Sequence, residues 1–179
     1  WSSCKSAIFR TTWNYFEKFN DFFKWIQETK DKTTFINSID AIKWNINKNY
    51  LQDLAENGIN ITPTIFLEKK EEITLKKLFK KTNWKEIVIK PAISGAARNT
   101  YRINYNNYWK YEKIFQELVN QECMLFQEFM QNITIQGEIS LIMIGGKYTH
   151  AVRKIAKKGD FRVQDDHGGK VQKYEATKE

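Results

Sequence analysis

The chain has 179 residues, a net charge of +8, 41% hydrophobic and 15% aromatic residues. That is apolar enough for one folded domain or two small ones, and it excludes a disordered tail. No apolar run approaches the ~20 residues of a membrane span and no signal peptide is visible, so no membrane partner is expected. Cys4 and Cys123 lie far apart without metal-ligand company and read as free thiols, which fits a cytoplasmic protein. The charge raises nucleic acid as a partner. However, the lysines alternate with acids, as in Glu68-Lys69-Lys70-Glu71-Glu72, and only Lys76-Lys77 with Lys80-Lys81 forms a cluster, read as a solvated helix face. Nucleic-acid binding is therefore disfavoured. The chain opens at Trp1 rather than Met and is read as a piece of something longer.

In chain order, Ala7–Arg10 reads as a short buried strand, and Tyr15, Phe16, Phe19, Phe22, Phe23 and Ile26 recur at helical spacing. Thr34–Ile36 reads as a strand and Ser38 to Asn57 as one helix, closed by Asn57-Gly58. Ile59–Leu67 reads as a strand interrupted by Pro63, and Thr74–Lys81 as a short helix. Glu86–Ala92 and Thr100–Asn104 read as strands either side of a small-residue loop. Tyr105–Asn120 reads as a helix and Met124–Met130 as a strand. Glu138–Ile144 and Lys147–Ile155 flank Gly145-Gly146, a hairpin signal. Gly159 to Gln172 reads as loop-rich. This order of elements predicts an α/β or α+β nucleotide-binding domain with a partial α/β piece before it.

The chemistry concentrates in Ile87-Val88-Ile89-Lys90-Pro91-Ala92 and the Ile93–Thr100 stretch behind it. A β-branched run carries Lys90 to a strand end, and Pro91 stops the ladder because it has no N–H to donate. Ser94, Gly95, Ala96 and Ala97 are small enough to let backbone N–H groups approach an anion, while Lys90 and Arg98 add positive charge. The combination reads as a polyphosphate site; the plain alternative is an ordinary strand–turn–strand connection.

Taken together these blocks resemble the ATP-grasp superfamily, in the branch of bacterial glutathione synthetase, RimK-type ligases and the D-cycloserine-forming ligase. Ile8-Phe9-Arg10-Thr11-Thr12-Trp13-Asn14-Tyr15 is similar to the "RxTWDY" end of the segment preceding the ATP-grasp domain. Asn37-Ser38 and Trp44-Asn45-Ile46-Asn47-Lys48-Asn49-Tyr50-Leu51 resemble the entry to that domain, and Ile89-Lys90-Pro91 its lysine–proline block. Gln127–Met130, Gly137–Ser140, Ala151–Lys154 and Gly159–Gln164 follow in the family's order.

The resemblance implies an α+β (α/β) ATP-grasp fold, with two α+β subdomains holding ATP between them. Residues 1–36 would end the preceding substrate domain, 37–122 would form the first subdomain, and 123–179 the second, cut before its metal-binding strands. The implied function is the ATP-binding portion of an ATP-dependent carboxylate–amine ligase working through an acyl phosphate. A non-catalytic nucleotide-binding or scaffold module is the alternative. Lys48 and Lys90 would contact the ATP phosphates, with Lys48 equally readable as an exposed helix lysine. Ser94, Gly95, Ala96 and Arg98 would belong to the loop over the β- and γ-phosphates, although one glycine stands where the family is glycine-rich. Gln127, Glu128, Phe129 and Met130 would face adenine. Glu138 would take the ribose diol, or else lie exposed at a strand edge. Arg153 and Arg162 would stabilise the anionic oxygens of acyl transfer, with Lys154 assisting. Arg10, Trp13 and Tyr15 would be substrate-facing remnants, although the two aromatics read more readily as core. The Mg²⁺ ligands are expected downstream of this chain, with none within it, and the fragment alone is expected to be inactive. A small carboxylate and an amine are the implied substrates. Dimers are common in the family, so a homodimer stays open.

Overall fold

The computed structural model describes residues 1–10, 12 and 14–177. It divides into two compact units, Trp1–Glu128 and Phe129–Glu179.

The first unit begins with a parallel pair, β1 (Ser6–Ile8) and β2 (Thr34–Ile36), joined by helix α1 (Phe19–Thr29). Phe9, Phe22, Trp25 and Phe35 pack ring against ring, with Phe9 and Phe35 stacked at 5.6 Å. The predicted strand is there, but two of its three residues are exposed, with Ile8 62% accessible, so it is not the buried strand expected. Tyr15 and Phe16 precede α1 instead of opening it.

The single helix predicted over 38–57 is two, α2 (Ile39–Ile46) and α3 (Tyr50–Glu56). Ser38 caps the first, accepting from Ala41 N–H at 3.3 Å. Asparagines end it. Asn47 turns extended, and its side-chain oxygen takes the N–H of Asn49 at 3.0 Å, a local bond that competes with the helix ladder. The Lys48 N–H leaves the helix altogether and donates to Ala92 O at 2.9 Å.

A four-stranded antiparallel sheet follows, in the order β3-β6-β4-β5 (Thr64–Leu67, Met124–Glu128, Glu86–Pro91, Tyr101–Asn104). The expected strand before Leu67 starts only after Pro63, because proline cannot donate to a ladder. Helices α4 (Leu75–Thr82) and α5 (Glu112–Gln121) cover one face of the sheet. Phe79, Phe115, Ile87, Ile89, Ile103, Met124 and Phe126 form that core, each essentially inaccessible. Strand alternation then assigns the opposite face to Val88, Lys90, Leu125, Gln127 and Thr64. The helix expected from Tyr105 begins later, as a turn, a 3₁₀ segment Tyr108–Lys110 and then α5, since Asn104 and Asn107 tie the preceding backbone into a turn. By its ladders to β3 and β4, β6 belongs to the first unit.

In the second unit a short helix α6 (Asn132–Ile135) leads into an antiparallel sheet β7-β8-β9 (Glu138–Ile144, Lys147–Ile155, Lys170–Tyr174). The hairpin and both strand limits fall where the sequence predicts them. Gly145 and Gly146 take φ of +58° and +76°, the doubly left-handed turn that suits the right-handed twist of paired strands. β9 starts inside the 159–172 stretch that reads as loop-rich and forms the third strand against β8. β7 lies at the sheet edge, and Ile139, Leu141 and Met143 along it are 43–57% exposed.

Candidate functional site

The exit of β4 is where the sequence-predicted cations of the first unit meet. Lys90 sits on the face opposite the helices and reaches diagonally across the ladder, donating to Gln127 Oε1 at 2.8 Å. The amide nitrogen of Gln127 in turn donates to Thr64 Oγ1 at 2.8 Å, so a polar chain crosses β4, β6 and β3. Lys48 arrives from the break between α2 and α3. Its backbone is fixed on Ala92 O, and its Nζ donates to Ser94 O at 2.7 Å. The Tyr15 hydroxyl reaches the same carbonyl at 3.5 Å, and burial holds the Tyr15 pKa above the ordinary phenol value.

Lys48 is electrostatically strained. Burial first, then the positive charges of Lys90 and Arg98, bring its pKa down to about 8. Lys90 and Arg98 are therefore near enough to oppose the Lys48 proton, an arrangement that an anionic ligand relieves.

The connecting loop closes on itself. Ser94, 8% exposed, donates from Oγ to Arg98 O at 3.2 Å, and Arg98 N–H donates to Gly95 O at 3.0 Å. Ala96, Ala97 and Asn99 all have left-handed φ, of 48°, 55° and 48°. The Arg98 guanidinium turns to Glu122, donating through Nη1 at 2.9 Å and Nη2 at 2.6 Å, while Nη2 also reaches Ile93 O at 3.1 Å. Its Nε is buried without a partner among the described residues.

A cleft of about 550 Å³ opens in the same unit, lined by Phe9, Arg10, Tyr15, Asn37, Trp44 and Asn45 among others. Arg10 and Tyr15 thus line a cavity. Trp13, the third residue of that group, lies outside the described residues. Glu128 ends β6 opposite Ile87, with its N–H on Pro63 O at 2.9 Å.

The remaining site residues belong to the second unit. Phe129 is buried and meets Phe161 edge-on at 5.9 Å, whereas Met130 is 43% exposed. Glu138 at the start of β7 pairs across the ladder with Lys154, Nζ to Oε1 3.2 Å. Arg153, one residue earlier on β8, holds its guanidinium 4.8 Å from the centre of the Tyr174 ring, with a buried Nε that has no partner among the described residues. Arg162 is gripped by Asp160 through Nε and Nη2, the shortest contact being 2.7 Å. The Arg162 hydrogen bonds hold the Asp160 carboxyl well below the usual carboxylate range and raise the Arg162 pKa. Among the described residues no three His, Cys, Asp or Glu stand together as a metal site, and no helix is long and apolar enough to cross a membrane.

Sequence reading did not single out Thr64, Glu122 or Asp160. Asp160 had a local signal, since Gly-Asp marks a turn whose carboxylate takes the following N–H groups. Thr64 and Glu122 had none, because only strand register and a helix end bring them to Gln127 and Arg98.

Residues 46–179 match the family described as "Prokaryotic glutathione synthetase, ATP-grasp domain", and residues 1–37 match the N-terminal domain of D-cycloserine synthetase DcsG. The chain belongs to the ATP-grasp family. It is similar to the cycloserine biosynthesis protein DcsG of Streptomyces lavendulae, 23% identical over 158 residues that cover 86% of this chain and 53% of that protein. It therefore spans about half the length of that relative. The crystal structure of D-cycloserine synthetase DcsG superposes with a TM-score of 0.85 at 22% identity, over 99% of this chain and 62% of that one. The ATP-grasp ligase PsnB (TM-score 0.58, 16% identity, 97% of this chain and 57% of that one) and D-alanine–D-alanine ligase from Bacillus anthracis (0.51, 17%, 74% and 42%) share the fold.

Proposed function

We propose that this chain is the ATP-binding portion of an ATP-dependent carboxylate–amine ligase that works through an acyl phosphate. The observation that carries the reading is the meeting of Lys48, Lys90 and the small-residue loop at the end of β4, with the Lys48 proton opposed by its cationic neighbours. A polyphosphate would neutralise that cluster, and flexible ammonium groups suit phosphate oxygens as point charges. A PsnB structure of the same fold was solved with Mg and ADP, which supports a nucleotide for this chain too.

ATP supplies the phosphoryl group that turns a carboxylate into an acyl phosphate, which an amine then attacks. In this reading Lys48 and Lys90 hold the phosphates, and the backbone of Ser94, Gly95 and Ala96 lines them with N–H groups. Gln127 and Glu128 at the end of β6, with Phe129 and Met130, serve adenine, and Glu138 the ribose hydroxyls. Arg153 and Arg162 offer guanidinium N–H groups to anionic oxygens of the acyl-transfer step. The buried Arg153 Nε, which lacks an acceptor among the described residues, supports that role, since such a donor costs ~1–3 kcal/mol if left unmatched. The cleft bearing Arg10 and Tyr15 suits a small carboxylate-bearing substrate in size and charge. In this reading Mg²⁺ accompanies ATP, and no step is drawn through it. A cytoplasmic setting goes with this reading.

Calorimetric titration of the protein with Mg–ATP tests it. Lys90→Ala and Lys48→Ala should each weaken binding by about tenfold or more, the worth of a charge-assisted hydrogen bond. Equal affinity of the unsubstituted protein and Lys90→Ala would remove the phosphate role.

A further inference from the structure

Three left-handed residues that are not glycine, within four positions, are costly unless surrounding structure holds them. Hydrogen bonds inside the loop are short-range and close it only upon itself. Lys48 and Tyr15 hold its entrance at Ser94 O, and at its far end the side-chain tie to the body of the unit is Arg98. The fork-to-fork pair with Glu122 is bidentate, and the guanidinium also clamps Ile93 O at the loop's own entrance and lies 5.6 Å from the Phe16 ring centre. Glu122 is well founded. It is the C-cap of α5, its N–H bonds Leu118 O at 3.0 Å, and that helix buries Phe115, Leu118 and Val119 in the core.

We infer that Glu122 is a positioning residue for the phosphate-binding loop: through Arg98 it fixes the backbone of the loop that begins at Ser94 in the geometry that receives the terminal phosphates. Arg98 then serves the loop from behind and does not have to touch the nucleotide. The inference rests on the nucleotide reading given above. It has a consequence that mere structural support would not have, because a loop shaped for terminal phosphates discriminates ATP from AMP.

The test is a double-mutant cycle read by calorimetry on the protein, with ATP and AMP as probes. Glu122→Gln and Arg98→Met should each weaken ATP binding about tenfold while leaving AMP affinity unchanged. The double variant should be no worse than either single one, and Glu122→Asp, which keeps the charge, should recover part of the loss. Thermal melts taken alongside identify any variant that fails to fold, for which Glu122→Asp alone then decides by its ATP-to-AMP ratio. Loss of ATP binding in Arg98→Met but not in Glu122→Gln overturns the inference, because Arg98 would then be a phosphate ligand itself. Equal losses for ATP and AMP also overturn it. Unchanged ATP binding in Lys90→Ala and Lys48→Ala would instead strike the nucleotide reading. With those two impaired and Glu122→Gln normal, only the role of Glu122 falls.

Discussion

Lys48 carries the sharpest prediction at the scale of a single residue. Folding lowers its pKa from 10.5 to about 8, through burial and then through Lys90 and Arg98. Between those two values the unfolded chain retains a proton that the folded chain has released. The Lys48 contribution therefore makes the protein more stable as pH rises through that window, and the cost of burying the charge is fully present below about 8. Anion binding runs the opposite way, because only the ammonium attracts phosphate. Affinity for ATP should fall as pH rises above about 8, with the midpoint displaced upward by the bound polyanion. Lys48→Arg keeps its charge throughout and should flatten the fall. An identical fall in that variant would assign the titration to another group. Lys90 was legible because a β-branched run ending in Lys-Pro is a local signal. Half of the Lys48 story was not: the residue was visible, but the Ala92 carbonyl that takes its N–H and the Ser94 carbonyl that takes its ammonium are placed by tertiary structure.

Among the elements, the β7–β8 hairpin shows what sequence reading does well. Its strands alternate, its turn is two glycines, and every determinant lies within the segment itself. The long helix predicted over 38–57 failed for the converse reason, since the residue types of 47–49 permit a helix while Asn47 and Ala92 compete for its N–H groups. A further constraint sits just before β7. Gly137 has φ of +84°, its N–H reaches Asn132 O and Ile133 O, and a Cβ there would collide with the backbone carbonyl of Lys154. Neither the left-handed φ nor the collision with backbone can be relieved by moving a side chain. Gly137→Ala should destabilise the 129–179 unit by about 2–4 kcal/mol. Hydrogen exchange should show this as lost protection in β7 and β8, with the amides of β4 and β6 unchanged. Uniform loss across both sheets would mean that the two units unfold together.

For the whole molecule, each unit is stabilised by different means. The first has a sheet with helices α4 and α5 on one face and the polar chain of Lys90, Gln127 and Thr64 on the other. The second is a three-stranded sheet with few buried residues, Ala151 and Val163 among them. The strand end that carries Lys90 was readable from the sequence; the sheet order that put Gln127 beside it was not, because it requires β6 to pass between β3 and β4. The apolar margin of β7 has a practical side. A strand that lies at the edge of its sheet among the described residues and bears a row of Ile139, Leu141 and Met143 is a template on which a second copy can add. The 179-residue chain should accordingly grow in light-scattering mass as its concentration is raised from micromolar to millimolar, and Leu141→Lys should suppress the growth by placing a charge in the seam. A constant mass for the unsubstituted chain would mean that twist and flanking charge already guard this border against accretion.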